Sequence, residues 1–114
     1  MPGIHIADIK SDMPTADQAV RRVAGVLATA RVTQTAAVKI IHGYGSTGTG
    51  GRIRTEARRY LQEEYRKGKI RALIPGEDFS IFNEATLRAF ALCAGLRRDS
   101  DLDRCNNGVT IVIL

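Results

Sequence analysis

A chain of 114 residues has room for one domain of ordinary size and is too short for a complete two-half dinucleotide-binding fold. Its composition, 44% hydrophobic and 25% charged, is typical of a globular protein, and no run approaches the ~20 apolar residues of a membrane helix. The net charge of +5 favours anionic partners, although net charge concerns association rather than fold.

Two features concern the cellular compartment. The first ten residues lack the basic, apolar and small-residue order of a secretory signal. Cys93 and Cys105 form no C-x-x-C pair and have no histidines at zinc-binding spacing. We therefore expect a reduced, cytoplasmic protein with no membrane partner.

Strands and helices are predicted to alternate along the chain. In order, the pattern predicts a strand at 4–7, a helix starting at 13–18, a strand at 37–41, a helix from about 52 to 68, a strand at 70–74, a helix at 84–94 and a strand at 108–114. Thr15 and Gln18 stand at capping-box spacing, Asn83 can cap the third helix, and Gly68 is a good left-handed stop for the second. This order predicts an α/β fold, a small two-layer β-α-β-α-β-(α)-β sandwich with a mixed sheet, as one domain over 1–114. The first two strands should be parallel and joined by a right-handed crossover.

A glycine-rich segment, IIHGYGSTGTGGRIR, occupies 40–54. Residues 43–48 match the G-x-G-x-x-G fingerprint of dinucleotide-binding proteins, which also requires an acid ~20 residues further on to hold the ribose. The nearest acid after the next predicted strand is Glu77, and Gly50 and Gly51 separate the fingerprint from the predicted helix. No Lys-Ser or Lys-Thr follows the glycines, as a Walker loop requires. The sequence therefore predicts no nicotinamide cofactor.

The same segment still has the parts of an anion site. A strand, a glycine loop and a helix N-terminus offer free amides and a positive dipole end. Arg52 and Arg54, predicted in the first turn of the helix, would oppose the helix dipole unless an anion lay nearby. The segment therefore predicts a phosphate-binding loop. The alternative is a tight turn whose arginines are merely solvated.

Three stretches share a recognisable pattern: His42-Gly43-Tyr44-Gly45 after an apolar strand, Ile53-Arg54 opening the next helix, and a last strand at 108–112. Together they resemble the Smr (small MutS-related) domain family, in which the motifs are H-G-x-G and Leu-Arg. The start of the first helix, at 14–19, fits as well. The resemblance covers about 6–114 and is weakest between 77 and 107.

The resemblance implies a nucleic-acid-binding module, since some Smr domains nick DNA or cleave RNA while others only bind. The family's first motif, L-D-x-H, reads Ala7-Asp8-Ile9-Lys10 here, so a lysine replaces the histidine. The glycine loop is also longer than usual. Asp8 and His42 are the candidate catalytic residues: Asp8 would hold a divalent metal ion or orient water, and His42, titrating near neutral pH, would move a proton. The alternative for His42 is a histidine that fixes the loop by bonding to nearby backbone.

The candidate nucleic-acid contacts lie around the glycine loop and on the helix after it. Arg54 and Arg58 are one turn apart with no acid between them on their row, which makes them the better phosphate candidates. Tyr44, at the loop tip, is either a base-stacking side chain or a buried anchor. The full set is Lys10, Gly43, Tyr44, Gly45, Gly48, Gly50, Arg52, Arg54 and Arg58.

These observations predict a module that binds DNA or RNA through the phosphate backbone. One alternative is a metal-assisted endonuclease acting through Asp8 and His42. A second alternative is a protein-interaction module whose basic helix binds an acidic partner.

Overall fold

The computed structural model describes residues 3–44 and 48–114. Within these residues four strands lie at Ile4–Asp8 (β1), Ala37–Ile41 (β2), Ala72–Pro75 (β3) and Val109–Ile113 (β4). Three α-helices lie at Ala16–Val32 (α1), Gly48–Arg66 (α2) and Glu84–Leu92 (α3). Short 3₁₀ helices occupy Gly76–Asp78 and Ala94–Arg98, in a region predicted only as loop.

The strands form one sheet in the order β1-β2-β4-β3. β1 and β2 are parallel, as expected, and β4 is antiparallel to both β2 and β3. β1, β2 and β3 therefore all end at the edge of the sheet where β4 begins. We call this end, with the segments after β1, β2 and β3 and the segment before β4, the loop edge.

Both faces of the sheet are covered, because successive strand residues point to opposite sides and both sides are apolar. On one face Val38, Ile40 and Val112 pack with buried residues of α1 and α2. On the other face Ile74 and Ile111 pack with α3 and the 3₁₀ helix at Ala94–Arg98. The α/β class and the mixed sheet are confirmed, and α3 adds a third layer to the expected two-layer sandwich.

Local sequence signals place the helix ends. Thr15 Oγ1 accepts from the Gln18 amide at 3.1 Å, and Gln18 Oε1 accepts from the Thr15 amide at 2.9 Å, which completes the capping box. Asn83 Oδ1 accepts from the Thr86 amide at 3.0 Å and caps α3. Gly68 has a φ of 78°, the left-handed conformation that ends a helix. These three predictions are confirmed.

The start of α2 differs from the prediction. The helix begins at Gly48, so residues 48–51 form its first turn, and the placement of Arg52 and Arg54 in that turn is wrong. Glycine is a poor helix former, which is why the sequence pattern suggested a loop. Extending an existing amphipathic helix avoids the cost of a new nucleus, and this partly offsets the low helix propensity of these glycines. No helix among the described residues has the length and apolar character needed to cross a membrane.

Candidate nucleic-acid interface

His42 lies directly after β2, and its side chain is buried, with 1% exposure. Nδ1 is 2.9 Å from the Gly43 carbonyl oxygen, and because a carbonyl only accepts, Nδ1 carries the proton. Nε2 is then an acceptor, with the Thr110 hydroxyl at 2.8 Å. The Nε–H of Arg58 lies between the two, 3.3 Å from Nε2 of His42 and 3.2 Å from Thr110 Oγ1. These contacts hold the imidazole neutral and in one tautomer.

Burial lowers the pKa of His42 to about 4. The bond to the Gly43 carbonyl raises the pKa but does not offset the effect of burial. The guanidinium groups of Arg58 and Arg54 lower it further. The prediction that His42 titrates near neutral pH is therefore wrong, and the imidazole is neutral at that pH. The backbone amides of His42 and Gly43 both donate to the Gly108 carbonyl, at 3.0 and 2.9 Å. The geometry supports the alternative in which His42 fixes the loop.

Arg58 is the centre of this network. Its terminal nitrogens donate to both oxygens of Glu77, at 2.8 and 2.7 Å, in a bidentate pair. Nη2 also reaches the carbonyl oxygens of Asn107 and Val109, at 3.3 and 3.1 Å. Together with the bond of Nε to His42, these contacts use both terminal nitrogens and Nε within the protein. Arg58 thus joins α2 to the segments after β2 and β3 and to the segment before β4.

Glu77 supplies the carboxylate of this network. The bond from Arg58 lowers the pKa of Glu77 to about 2. Partial burial raises the pKa, whereas the charges of Arg58 and Arg54 lower it further. Glycine at position 76 permits the close approach, because a Cβ there would overlap the Asn106 carbonyl oxygen and lie 2.6 Å from Cγ2 of Val109. The sequence pattern missed this role, and its one signal was an acid directly after Pro75-Gly76 at a strand end.

Arg54 lies one turn before Arg58 and is less enclosed. Its Nε donates to the Asn107 carbonyl at 3.1 Å, and Nη2 is 3.6 Å from the Glu77 carboxylate. The side chain is 30% exposed, against 21% for Arg58. Arg52 is fully at the surface. The two arginines grouped as phosphate candidates therefore differ: Arg58 is a link inside the protein, whereas Arg54 faces the loop edge.

Lys10 and the glycine segment meet at the loop edge. Gly43 has a φ of 81°, and a Cβ there would lie 2.9 Å from Cδ of Lys10, so the lysine side chain crosses directly over the glycine. Tyr44 is 62% exposed, and a Cβ at Gly108 would lie 3.3 Å from its ring. The alternative in which Tyr44 is a buried anchor is therefore wrong. Gly45 lies outside the described residues, while Gly48 and Gly50 belong to the first turn of α2.

Asp8 ends β1, and its Cα pairs with that of Ile41 next to His42. Its carboxylate accepts from the amides of Lys10 and Ser11, at 2.9 and 3.1 Å, and from the Ser11 hydroxyl at 2.8 Å. Burial alone would raise the pKa of Asp8, but these bonds and the charge of Lys10 outweigh it and lower the pKa. Asp8 and His42 thus lie at the ends of neighbouring strands, but their side chains belong to separate hydrogen-bond networks.

A metal ion at Asp8 finds little support in this arrangement. Both carboxylate oxygens are engaged by the turn that follows β1. Within 3–44 and 48–114, no three His, Cys, Asp or Glu side chains are grouped as a metal site requires. The oxygen and nitrogen donors among the described residues therefore do not fit a divalent ion.

Thr110 is the other residue that the sequence pattern missed. It is 1% exposed and is the one hydroxyl residue in the apolar strand β4. A hydroxyl that is buried in such a strand needs a hydrogen-bond partner. This requirement is the sequence signal that could have linked Thr110 to His42.

The Smr domain family model matches residues 12–77, more than half of the 114-residue chain. The matched stretch runs from the loop after β1 to Glu77 and includes His42, Arg54 and Arg58, while Asp8 and β4 lie outside it. No curated protein and no solved structure shows significant similarity to the chain. Because the match covers more than half of the chain, this protein belongs to the Smr domain family.

Proposed function

We propose that this chain binds DNA or RNA through the phosphate backbone, and that Lys10, Arg52 and Arg54 make the main ionic contacts. Membership of the Smr family is consistent with nucleic-acid binding or a nuclease-like activity. The observation that carries the proposal is that the cations at the loop edge differ in whether a carboxylate of the protein already binds them. Arg58 is committed to Glu77, whereas no carboxylate among the described residues forms a salt bridge with Lys10 or Arg52.

The start of α2 adds backbone donors to these side chains. The first amides of a helix have no intrahelical partner and carry the positive end of its dipole. Residues 48–51 of α2 contain no acid, and three of the four are glycines, which have no Cβ to obstruct a phosphate that approaches the backbone. Gly43 lies against the Lys10 side chain and adds a second position without a Cβ at the loop edge.

The Arg58 network has a supporting role in this proposal. It ties His42, Glu77 and the segment before β4 to α2, and so fixes the segments next to Arg54. Contacts of this kind go to phosphates and not to base edges, so we expect weak sequence preference and a steep dependence on salt.

The test measures affinity for a short duplex and a single strand across a series of salt concentrations. Replacing Arg54, Arg52 or Lys10 by Gln should weaken binding to all sequences and reduce the slope of log K against log salt by about 0.9 for each lost duplex contact. The matched control is Arg71→Gln, which removes the same charge from an exposed site at the other end of the sheet. Equal losses in the control and the three variants would refute the proposed site, and an absence of oligonucleotide binding would refute the function.

A further inference from the structure

Large apolar side chains are strongly exposed at the loop edge. Phe82 is 90% exposed and Tyr44 62%. Phe82 lies between the 3₁₀ helix at Gly76–Asp78 and α3, in the segment that follows β3. Burying a phenyl ring is favourable, and an exposed ring does not gain this free energy. An exposed aromatic side chain next to a proposed binding surface is therefore a candidate contact.

The turn that carries Phe82 is fixed by hydrogen bonds. The Phe82 amide donates to Ser80 Oγ at 3.1 Å, and the Asn83 amide donates to the Ser80 carbonyl at 3.0 Å. The Ile81 amide donates to Asp103 Oδ1 at 3.1 Å. The ring is therefore presented from a defined backbone, which lowers the conformational entropy lost when a ligand binds to it.

The same turn is joined to the proposed interface. The Asp103 amide donates to the Phe79 carbonyl at 2.9 Å, which ties the turn to the 103–108 segment before β4. At its other end that segment touches Tyr44 at Gly108 and bonds to Arg54 through the Asn107 carbonyl. Phe82 and Tyr44 are thus connected through one short segment, and this segment also carries the exposed Arg104.

We propose that Phe82 and Tyr44 form a stacking surface for unpaired bases, so that the ligand of this chain is single-stranded nucleic acid or a structure with unpaired nucleotides. This inference rests on the proposed function. Aromatic faces that alternate with cations along a backbone-binding surface are how single strands are held without sequence readout. A base inside a duplex keeps its faces covered by its neighbours and cannot use such a surface. The charges of Arg104, on this segment, and of Arg54, bonded to it, favour a polyanion over an uncharged protein partner.

The experiment compares Phe82→Ala with the wild type on a 12-nucleotide single strand and on the duplex of the same sequence, as DNA and as RNA. Loss of one stacking contact should weaken single-strand binding about tenfold and leave duplex binding within about twofold. A 2-aminopurine in the strand should lose part of its stacking-induced quenching in the variant. Phe82→Leu, which keeps an apolar side chain but no ring, should behave like Phe82→Ala.

The matched control is Val32→Ala, which trims a side chain of similar exposure, 84%, at the C-terminal end of α1 away from the loop edge. If the wild type binds oligonucleotides with salt dependence and Phe82→Ala binds the single strand equally well, the stacking surface is refuted while the proposed function stands. If Phe82→Ala weakens single strand and duplex alike, the unpaired-base specificity is refuted. If the wild type binds neither ligand, both the function and this inference fail.

Discussion

Two networks of charged side chains hold the stretch of chain between α3 and β4, one on each face of the sheet. On the α3 side, Lys39 of β2 bonds to Asp99 at 3.0 Å and to Asp101, and Asn106 donates to Asp101 at 2.8 Å. On the α2 side, Arg58 bonds to Glu77, His42 and the carbonyl oxygens of Asn107 and Val109. Both networks attach the same segment to the body of the protein.

The networks differ in their access to water. The side chains of Lys39 and Asp99 are each 6% exposed, whereas Arg58 is 21% and Glu77 36% exposed. Burial alone would lower the pKa of Lys39, but the two carboxylates outweigh it and raise the pKa. The buried network around Lys39 contributes to stability. The more exposed network around Arg58 lies at the loop edge, so it also borders the surface where a ligand anion would lie. The comparison suggests that burial separates a structural ion pair from one that can take part in binding.

The largest effect is expected from breaking the buried network around Lys39. Lys39→Met leaves Asp99 and Asp101 without their cation in a buried site, and removal of one partner of a buried ion pair costs roughly 3–5 kcal/mol. Chemical denaturation would measure the change in the free energy of unfolding. Lys69→Met is the control, because Lys69 is an exposed lysine. A change no larger than that of the control would mean that Lys39 is not held as described.

A smaller but clear loss of stability is expected for Arg58→Met. The variant removes one hydrogen-bond donor from each of the carbonyl oxygens of Asn107 and Val109 and from the imidazole of His42, and it removes the bidentate partner of Glu77, at an estimated cost of about 1–3 kcal/mol. Arg54→Met should cost less than about 1 kcal/mol, since Arg54 has fewer bonds and greater exposure, yet it should weaken oligonucleotide binding directly. If Arg54→Met were the more destabilising of the two, the assignment of Arg58 as the internal link would be wrong.

The more exposed network around Arg58 should also make stability depend on pH. The pKa of His42 is lowered from an unfolded value of about 6.5 to about 4, so on acidification the unfolded chain takes up a proton before the folded chain does. Stability should therefore fall as the pH drops from about 6.5 toward 4. The lowered pKa of Glu77 predicts a further loss as the pH falls from about 4.5 toward 2.

An NMR titration of the imidazole protons measures the His42 part of this prediction directly. The chain has two histidines, and His5→Gln leaves only His42 to observe. The midpoint should lie near 4 and should move in the Glu77→Gln variant, because the Glu77 carboxylate raises the pKa of His42. Loss of that carboxylate should lower the midpoint further. A midpoint near 6.5 in the wild-type fold would contradict the buried, neutral histidine.

The smallest effect is expected for an ion pair on the exposed surface of a helix. Arg59 and Glu56 are 2.8 Å apart on the outer face of α2, and Arg59 is 67% exposed. Glu56→Gln should change the free energy of unfolding by less than about 0.5 kcal/mol, and added salt should reduce even that difference. A loss comparable to that of Arg58→Met would show that burial is not what ranks these pairs.

The sequence by itself determined the elements whose signals are local. The capping box at Thr15 and Gln18, the apolar face of α1 and the β-branched strand β2 each depend on residues within a few positions of one another. The H-G-x-G segment likewise pointed to the family and to the region of the site. Residues 48–51, three of them glycines, were the exception, because they extend the helix that follows them despite the low helix propensity of glycine.

Only the tertiary structure decided which charged groups meet. Arg58 lies 19 residues from Glu77 and 52 from Thr110, and Lys39 lies 60 from Asp99. Their pairing requires β4 to insert between β2 and β3, an arrangement that no local pattern specifies. The same insertion buries His42 and lowers its pKa, although an isolated histidine would titrate near neutral pH. Spacing along the chain identifies the candidate residues, and the order of the strands determines their protonation and their partners.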